Sequence, residues 1–128
     1  MSSSIGFSSW NLDKDIHAAI EKRGWTEPTS IQLEAIPIAR KGLDIVGQAR
    51  TGSGKTAAFG IPLLEKCSNI NLIQALVLCP TRELAVQVAE EMDVLQGNKG
   101  LNIQTVYGGV DLDKQAKKLA EGAQIIVG

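Results

Sequence analysis

The stretch that decides the fold, residues 45–56, reads Ile45-Val46-Gly47-Gln48-Ala49-Arg50-Thr51-Gly52-Ser53-Gly54-Lys55-Thr56. A short apolar run, which we predict to be a strand over residues 45–48, leads into a glycine-rich loop and then into good helix formers. Gly52 and Gly54 allow positive φ and a close approach of the backbone to phosphate groups. The N-terminus of the following helix carries partial positive charge that favours an anion. Strand, loop and helix in this order predict a phosphate loop.

The loop supplies two side chains with distinct tasks. Lys55 is placed to reach the β- and γ-phosphates of a nucleotide, and the Thr56 hydroxyl is placed to ligate Mg²⁺. Ala49 stands where the general pattern has its first glycine. The alternative is a glycine-rich turn with an incidental lysine, which the strand–loop–helix order disfavours. We therefore predict an ATP/ADP and Mg²⁺ site formed by Ala49, Arg50, Thr51, Gly52, Ser53, Gly54, Lys55 and Thr56.

The rest of the chain alternates short apolar runs with segments of helical period. Four apolar runs, at residues 45–47, 75–79, 103–107 and 123–127, are predicted strands. Between them lie helical patterns such as Leu84, Val88, Met92 and Leu95. This alternation is typical of an α/β fold, with a parallel sheet flanked by helices.

The region before residue 45 predicts two helices. Asn11 is a candidate N-cap for a helix that runs to Arg23. A second helix follows Pro28-Thr29 and ends at Gly42. Pro37 lies within it and predicts a kink or a break.

Composition excludes several classes of protein. The 128 residues carry 13 Lys plus Arg against 14 Asp plus Glu, a net charge of −1, which excludes a strongly basic nucleic-acid binder. No apolar run reaches the ~20 residues of a membrane span, so we expect no membrane association. The length suits one core, and Cys67 and Cys79 have no partner at metal-binding spacing. We expect reduced thiols in a cytoplasmic protein.

Two interpretations remain open for Thr29-Ser30-Ile31-Gln32. The four residues fit a capping box, in which Gln32 reaches back to the start of its helix. The Gln32 carboxamide also offers one donor and one acceptor, which match adenine N7 and the exocyclic amine. Phe7 or Trp25 could stack on the base, although either could equally belong to the core.

Basic residues in the second half need separate interpretations. Arg82 is predicted to lie in the first turn of a helix, where its positive charge opposes the helix dipole. Two interpretations remain open: the guanidinium is solvated, or it binds an anionic partner. Glu83 suits the same position on electrostatic grounds. Lys114, Lys117 and Lys118 form a solvated helix face.

Several segments of the chain together resemble those of one protein family. Phe7, residues 24–32, residues 49–56, Pro80-Thr81-Arg82-Glu83-Leu84-Ala85 and Gly108-Gly109 occur in the order and spacing of a DEAD-box RNA helicase. The similarity covers essentially the whole chain, and Ala49 is the family's usual form of the loop. It implies that residues 1–128 are the N-terminal part of the first RecA-like domain.

The resemblance also implies roles for single segments. Residues 7–32 would recognise adenine, with Phe7 stacking on it and Gln32 reading its edge. Residues 49–56 would hold the phosphates and Mg²⁺. Residues 80–85 and 108–109 would contact single-stranded RNA or a short RNA duplex, through Pro80, Thr81, Arg82, Gly108 and Gly109.

The family's ATPase further needs an Asp-Glu-Ala-Asp segment, a Ser-Ala-Thr segment and a second RecA-like domain, none of which this sequence contains. We expect the chain to bind nucleotide without hydrolysing it, and to bind RNA weakly. The family's missing strands would lie beside the phosphate-loop strand, so exposed sheet edges invite domain swapping or self-association. The alternatives are a phosphate-loop ATPase or DNA helicase that does not act on RNA, and a non-catalytic nucleotide-binding module.

Overall fold

A computed structural model describes residues 6–50, 52, 54–108 and 111–128 of the chain. A 3₁₀ turn at Phe7–Trp10 opens the described part. Eight elements follow in the order α1 (Lys14–Lys22), α2 (Ser30–Arg40), α3 (Lys55–Lys66), β1 (Ala75–Val77), α4 (Arg82–Leu95), β2 (Ile103–Thr105), α5 (Leu112–Ala120) and β3 (Ile125–Val127).

The three described strands form a parallel sheet in the order β1-β3-β2. Ile125 of β3 pairs with Ala75 on one side and with Ile103 on the other. Both Ile125 and Val127 are 0% exposed, as expected for the central strand of a sheet that helices cover. The predicted α/β class with a parallel sheet is confirmed, and three of the four apolar runs contain its strands.

The fourth predicted strand, over residues 45–48, is wrong. Residues 43–50 have no regular secondary structure, and Val46 is fully exposed. A strand exists only where a neighbour supplies hydrogen bonds, and among the described residues β1 pairs with β3 alone. None of the described strands pairs with residues 45–48, although the glycine-rich loop still leads into α3.

Helix α1 begins later than predicted. Its N-cap is Asp13, whose carboxylate accepts a hydrogen bond from the Asp15 backbone N–H at 3.1 Å. Asn11 instead adopts a left-handed φ of 54° and ends the preceding 3₁₀ turn, a conformation that asparagine tolerates well. The predicted cap at Asn11 is thus wrong, whereas the helix ends at Lys22 with Arg23 as its C-cap, within one residue of the predicted end.

Helix α2 continues through Pro37 without a break. The ring removes one hydrogen bond to the preceding turn, but packing of α2 along α3 compensates. Ile36 of α2 and Ile61 and Leu64 of α3 are all 0% exposed in the same core cluster. Tertiary burial therefore outweighs the local preference for a helix end.

Helix α4 contributes the predicted apolar stripe to the core, with Val88, Met92 and Leu95 buried. Helix α5 forms where its period predicts, but it buries no residue, and Leu112 is 77% exposed. None of the helices in the described residues has the length and apolar character needed to cross a bilayer.

Candidate functional site

The glycine-rich loop meets α3 through a left-handed residue. Gly54 is the N-cap of α3 with φ 85°, and Gly52 has φ 80°. Both glycines therefore adopt the positive φ that the sequence predicts for them. The helix begins at Lys55, which directs its first backbone N–H groups toward the loop. Of the other predicted loop residues, Ala49 is half-buried and Arg50 is exposed, whereas Thr51 and Ser53 lie outside the described residues.

Gln32 joins the start of α2 to this loop. Its side chain is buried, with the residue 2% exposed. Its Oε1 accepts a hydrogen bond from the Thr29 backbone N–H at 3.0 Å, within a capping box. Its Nε2 donates to the carbonyl oxygen of Gly54 at 3.1 Å. The predicted capping role is confirmed, and adenine recognition by Gln32 stays a prediction.

The contact between Gln32 and Gly54 has a steric consequence. A Cβ added to Gly54 would collide with Nε2 of Gln32 and would lie 3.1 Å from Oγ1 of Thr29. A Cβ added to Gly52 would have no heavy atom within 4 Å. Position 54 therefore requires glycine for two reasons: its φ is positive, and Gln32 leaves no room for a Cβ. Sequence reasoning missed this contact because the spacing of the two motifs carries no sign of it.

An open cleft of about 800 Å³ adjoins the loop. Gly52, Gly54, Lys55 and Thr56 line one side, with Trp25 and Phe59 among the aromatic residues. The lining also includes residues 76–80, at the end of β1 and just after it, and residues of α4 between Leu84 and Glu91. Lys55 is exposed and Thr56 half-buried, so both reach the solvent of the cleft. Residues of the predicted phosphate loop and Pro80 and Leu84 of the predicted RNA segment therefore line the same cleft.

The two candidate stacking residues, Phe7 and Trp25, contact one another. Their rings stack with centroids 6.2 Å apart and planes 22° apart, and Trp10 meets Phe7 edge-on. Phe7 is 3% exposed within the core cluster, whereas Trp25 is half-buried and lines the cleft. Phe7 thus packs as a core aromatic in this structure. Its stacking on adenine, like that of Trp25, stays a prediction.

The predicted RNA segment lies at the carboxyl edge of the sheet. Thr81 is the N-cap of α4, and its hydroxyl accepts a hydrogen bond from the Leu84 N–H at 3.1 Å. Arg82 begins the helix, and its guanidinium carbon lies 4.5 Å from the centroid of the Tyr107 ring. Gly108 is exposed and Pro80 lines the cleft, whereas Gly109 lies outside the described residues. Sequence reasoning did not single out Tyr107.

Two ion pairs join separate elements: one links α2 to α3, and the other links the N-cap of α1 to the segment after α4. Arg40 of α2 meets Glu65 of α3 with Nε and Oε1 3.0 Å apart. Burial raises the pKa of Glu65, and the Arg40 charge opposes this shift only in part. Nζ of Lys99 lies 3.2 Å from Oδ2 of Asp13. Burial also raises the pKa of the Asp13 carboxyl, but the Asp15 hydrogen bond and Lys99 outweigh it, so that the pKa falls below its usual value.

The donors at the loop suit a cation that is shared with a nucleotide. No group of three or more His, Cys, Asp or Glu side chains forms a metal site within the described residues. Mg²⁺ characteristically takes one or two protein oxygens and completes its shell with phosphate oxygens and water. The half-buried Thr56 hydroxyl at the helix N-terminus is a donor of this kind.

The parallel sheet, the flanking helices and the glycine-rich loop at the N-terminus of α3 define a RecA-like α/β domain. The DEAD/DEAH box helicase family matches residues 29–128. The chain belongs to this family, as the sequence predicted.

Named relatives and solved structures agree with that assignment. The chain is 51% identical over 123 residues to the DEAD-box ATP-dependent RNA helicase CshA of Streptococcus pneumoniae, and 45% identical to the ATP-dependent RNA helicase CshA of Listeria monocytogenes. Each match covers 95% of this chain and 24% of the relative, so the chain spans about a quarter of their length.

Among solved structures, a DEAD box protein from the hyperthermophile Methanococcus jannaschii matches with a TM-score of 0.91 and 48% identity, over 96% of this chain and 34% of that one. A hypothetical ATP-dependent RNA helicase from Sulfolobus tokodaii matches with a TM-score of 0.80 and 35% identity, over 91% and 33%.

Proposed function

We propose that this chain is the nucleotide-binding part of an ATP-dependent RNA helicase. Residues 49–56 hold the phosphates of ATP or ADP, with Lys55 against the β- and γ-phosphates. The Thr56 hydroxyl is a ligand of Mg²⁺, which supplies charge neutralisation of the phosphates when bound. Gln32 recognises adenine at the other end of the nucleotide.

The hydrogen bond from Gln32 Nε2 to the Gly54 carbonyl carries this proposal. It joins the Gln32 carboxamide to the end of the phosphate loop, which supports a single nucleotide that contacts both. A carboxamide matches the donor and acceptor of adenine, whereas guanine presents two acceptors on the same edge. The proposal therefore includes preference for adenine nucleotides.

The chain by itself binds nucleotide without hydrolysing it. Hydrolysis requires a group that orients the attacking water and charges that stabilise the transferred phosphoryl group. Glu91 is the one carboxylate among the described residues lining the cleft, and it pairs with Arg23 at 3.6 Å. In the longer protein, a second RecA-like domain completes the site and closes on RNA.

RNA binds at the carboxyl edge of the sheet, through Pro80, Thr81, Arg82, Gly108 and Gly109. We expect single-stranded RNA or a short duplex to bind this chain weakly, because the net charge of −1 gives no general attraction to phosphate. Free Cys67 and Cys79 are consistent with a cytoplasmic protein.

Equilibrium titration with a fluorescent ADP tests the proposal. ATP should displace the probe and GTP should not. Lys55→Ala should weaken binding at least tenfold, whereas Lys114→Ala removes an exposed lysine of α5 and should not change it. Equal displacement by GTP and ATP, or an unchanged affinity in Lys55→Ala, would contradict the proposal.

A further inference from the structure

Arg82 and Tyr107 follow the carboxyl ends of two different strands, and their side chains meet across the end of the strand between them. Arg82 follows β1 by five residues, Tyr107 follows β2 by two, and β3 lies between these strands. Neighbouring strands are about 4.8 Å apart, so the two backbones are separated by about 10 Å at this edge. The arginine side chain spans that gap and places its guanidinium over the face of the tyrosine ring, 4.5 Å from the centroid.

The Arg82 side chain contacts the Tyr107 ring. None of the ion pairs or side-chain hydrogen bonds in the described part of the chain involves Arg82. It also stands in the first turn of α4, where the helix dipole disfavours a positive charge. An aromatic face attracts a guanidinium within about 6 Å of its centroid without taking a conventional hydrogen bond. The N–H donors of Arg82 therefore stay available while its position is fixed.

Tyr107 is itself held in place. Its backbone N–H donates to Oε1 of Gln115 on α5 at 3.0 Å, and the residue is half-buried. The adjoining Gly108 is exposed, and a Cβ added to it would meet no heavy atom within 4 Å. The backbone of Tyr107 is thus fixed by α5, and the adjoining Gly108 is open to solvent.

We infer that Tyr107 is a positioning residue for RNA binding: its ring holds the Arg82 guanidinium at the carboxyl edge of the sheet, with the N–H donors free for an RNA phosphate. The inference rests on the proposed function, because it takes RNA as the anion that Arg82 binds. A guanidinium that is held beforehand loses less side-chain freedom on binding, so affinity rises without a new contact to RNA.

The test is a double-variant cycle with the full chain, measured by fluorescence anisotropy on a labelled oligouridylate at low salt. Tyr107→Leu should weaken binding about threefold, within the range of an exposed cation–π contact. Tyr107→Phe keeps the ring and should retain the affinity. Combined with Arg82→Ala, Tyr107→Leu should have no further effect. Thermal unfolding of each variant reports whether it is folded.

A matched control is available in Arg23, whose guanidinium carbon lies 4.5 Å from the Trp25 centroid. Arg23→Ala removes the same charge and the same kind of contact from another part of the chain, so RNA affinity should stay unchanged. If Tyr107→Leu does not fold, a ring-fluorinated phenylalanine at position 107 keeps the shape and weakens the negative face. The same threefold loss is then expected.

The outcomes separate the inference from the proposed function. If Arg82→Ala weakens RNA binding and Tyr107→Leu does not, or if Tyr107→Leu has the same effect with and without Arg82, the inference is overturned and RNA binding by Arg82 stands. If Arg82→Ala leaves RNA affinity unchanged, the RNA assignment of the proposed function fails, and the inference fails with it.

Discussion

Gln32 and Gly54 lie 22 residues apart in the sequence, yet Nε2 of Gln32 donates to the carbonyl oxygen of Gly54 at 3.1 Å. The same carboxamide accepts from the Thr29 N–H at 3.0 Å. One buried side chain therefore fixes the start of α2 against the start of α3. Because a buried amide that loses its partners costs free energy, changes at either residue should affect both the fold and the nucleotide site.

Gly54→Ala should destabilise the protein more than Gly52→Ala. Both glycines have a left-handed φ, which costs a residue with a Cβ about 1–2 kcal/mol. Only the Cβ at position 54 also collides with Gln32. Urea unfolding measures the free energy of each variant, and ADP titration should show the larger loss for Gly54→Ala. Equal unfolding free energies for the two variants would contradict the steric role of Gln32.

Gln32→Ala should lower the free energy of unfolding by about 1–3 kcal/mol, because it leaves the Thr29 N–H and the Gly54 carbonyl without their partner. Gln32→Glu should keep the bond to Thr29 but place an oxygen against the Gly54 carbonyl, so ADP affinity should fall as well. Urea unfolding and ADP titration measure the two effects. Glu34→Ala, an exposed change on the same helix, is the control and should alter neither.

The stability of the protein should depend on pH through Glu65. Burial raises the pKa of this carboxyl in the folded state above its ordinary value of 4.5. The folded state therefore binds the proton more tightly, and the group's contribution to stability is fully present below 4.5 and is lost as pH rises through the folded pKa. Glu65→Gln cannot lose a proton, so the Tm difference between variant and wild type should increase in favour of the variant from pH 4.5 to pH 7.

Glu34→Gln is the matched control for that measurement, since Glu34 is exposed on α2. Its Tm should follow the wild type at every pH. A Tm difference for Glu65→Gln that stays constant, or that shrinks as pH rises, would show that the Arg40 pair outweighs the burial of Glu65.

Exposed apolar residues around residue 46 and β1 should promote self-association. Val46 is 103% exposed, and Leu76 and Leu78 are 64% and 79% exposed. Val46→Lys should therefore shift the chain toward monomer at high concentration, as measured by light scattering. Val94→Lys changes an exposed valine of α4, which is 53% exposed, and should not. Association that responds equally to both variants would point to general charge repulsion instead.

Much of this architecture could be predicted from local patterns. The apolar runs around β1, β2 and β3, the stripe of α4 and the left-handed Gly52 and Gly54 follow from period and residue type, because burial and steric freedom act on single segments. Residues 45–48 have the composition of a strand, but a strand also needs a neighbour, which no local pattern reports.

The sequence predicts the separate motifs of the site but not the contacts between them. Lys55 and Thr56 are placed by the loop, and Gln32 by its capping box. The contact of Gln32 with Gly54 and that of Arg82 with Tyr107 join residues distant in sequence, and they depend on how α2 lies along α3 and on the strand order. Packing angles and strand order are tertiary properties, so these two contacts required the structure.

The strand order also has a consequence for synthesis. The ribosome releases β1 and β2 before β3, although β3 is the strand that hydrogen-bonds to both. At about 5–20 residues per second, the roughly 20 residues that separate β2 from β3 take about 1–4 seconds to translate. During that interval the nascent chain holds two strands that cannot pair through their proper neighbour. The time taken to synthesise α5 thus sets how long β1 and β2 wait for the strand that pairs with both.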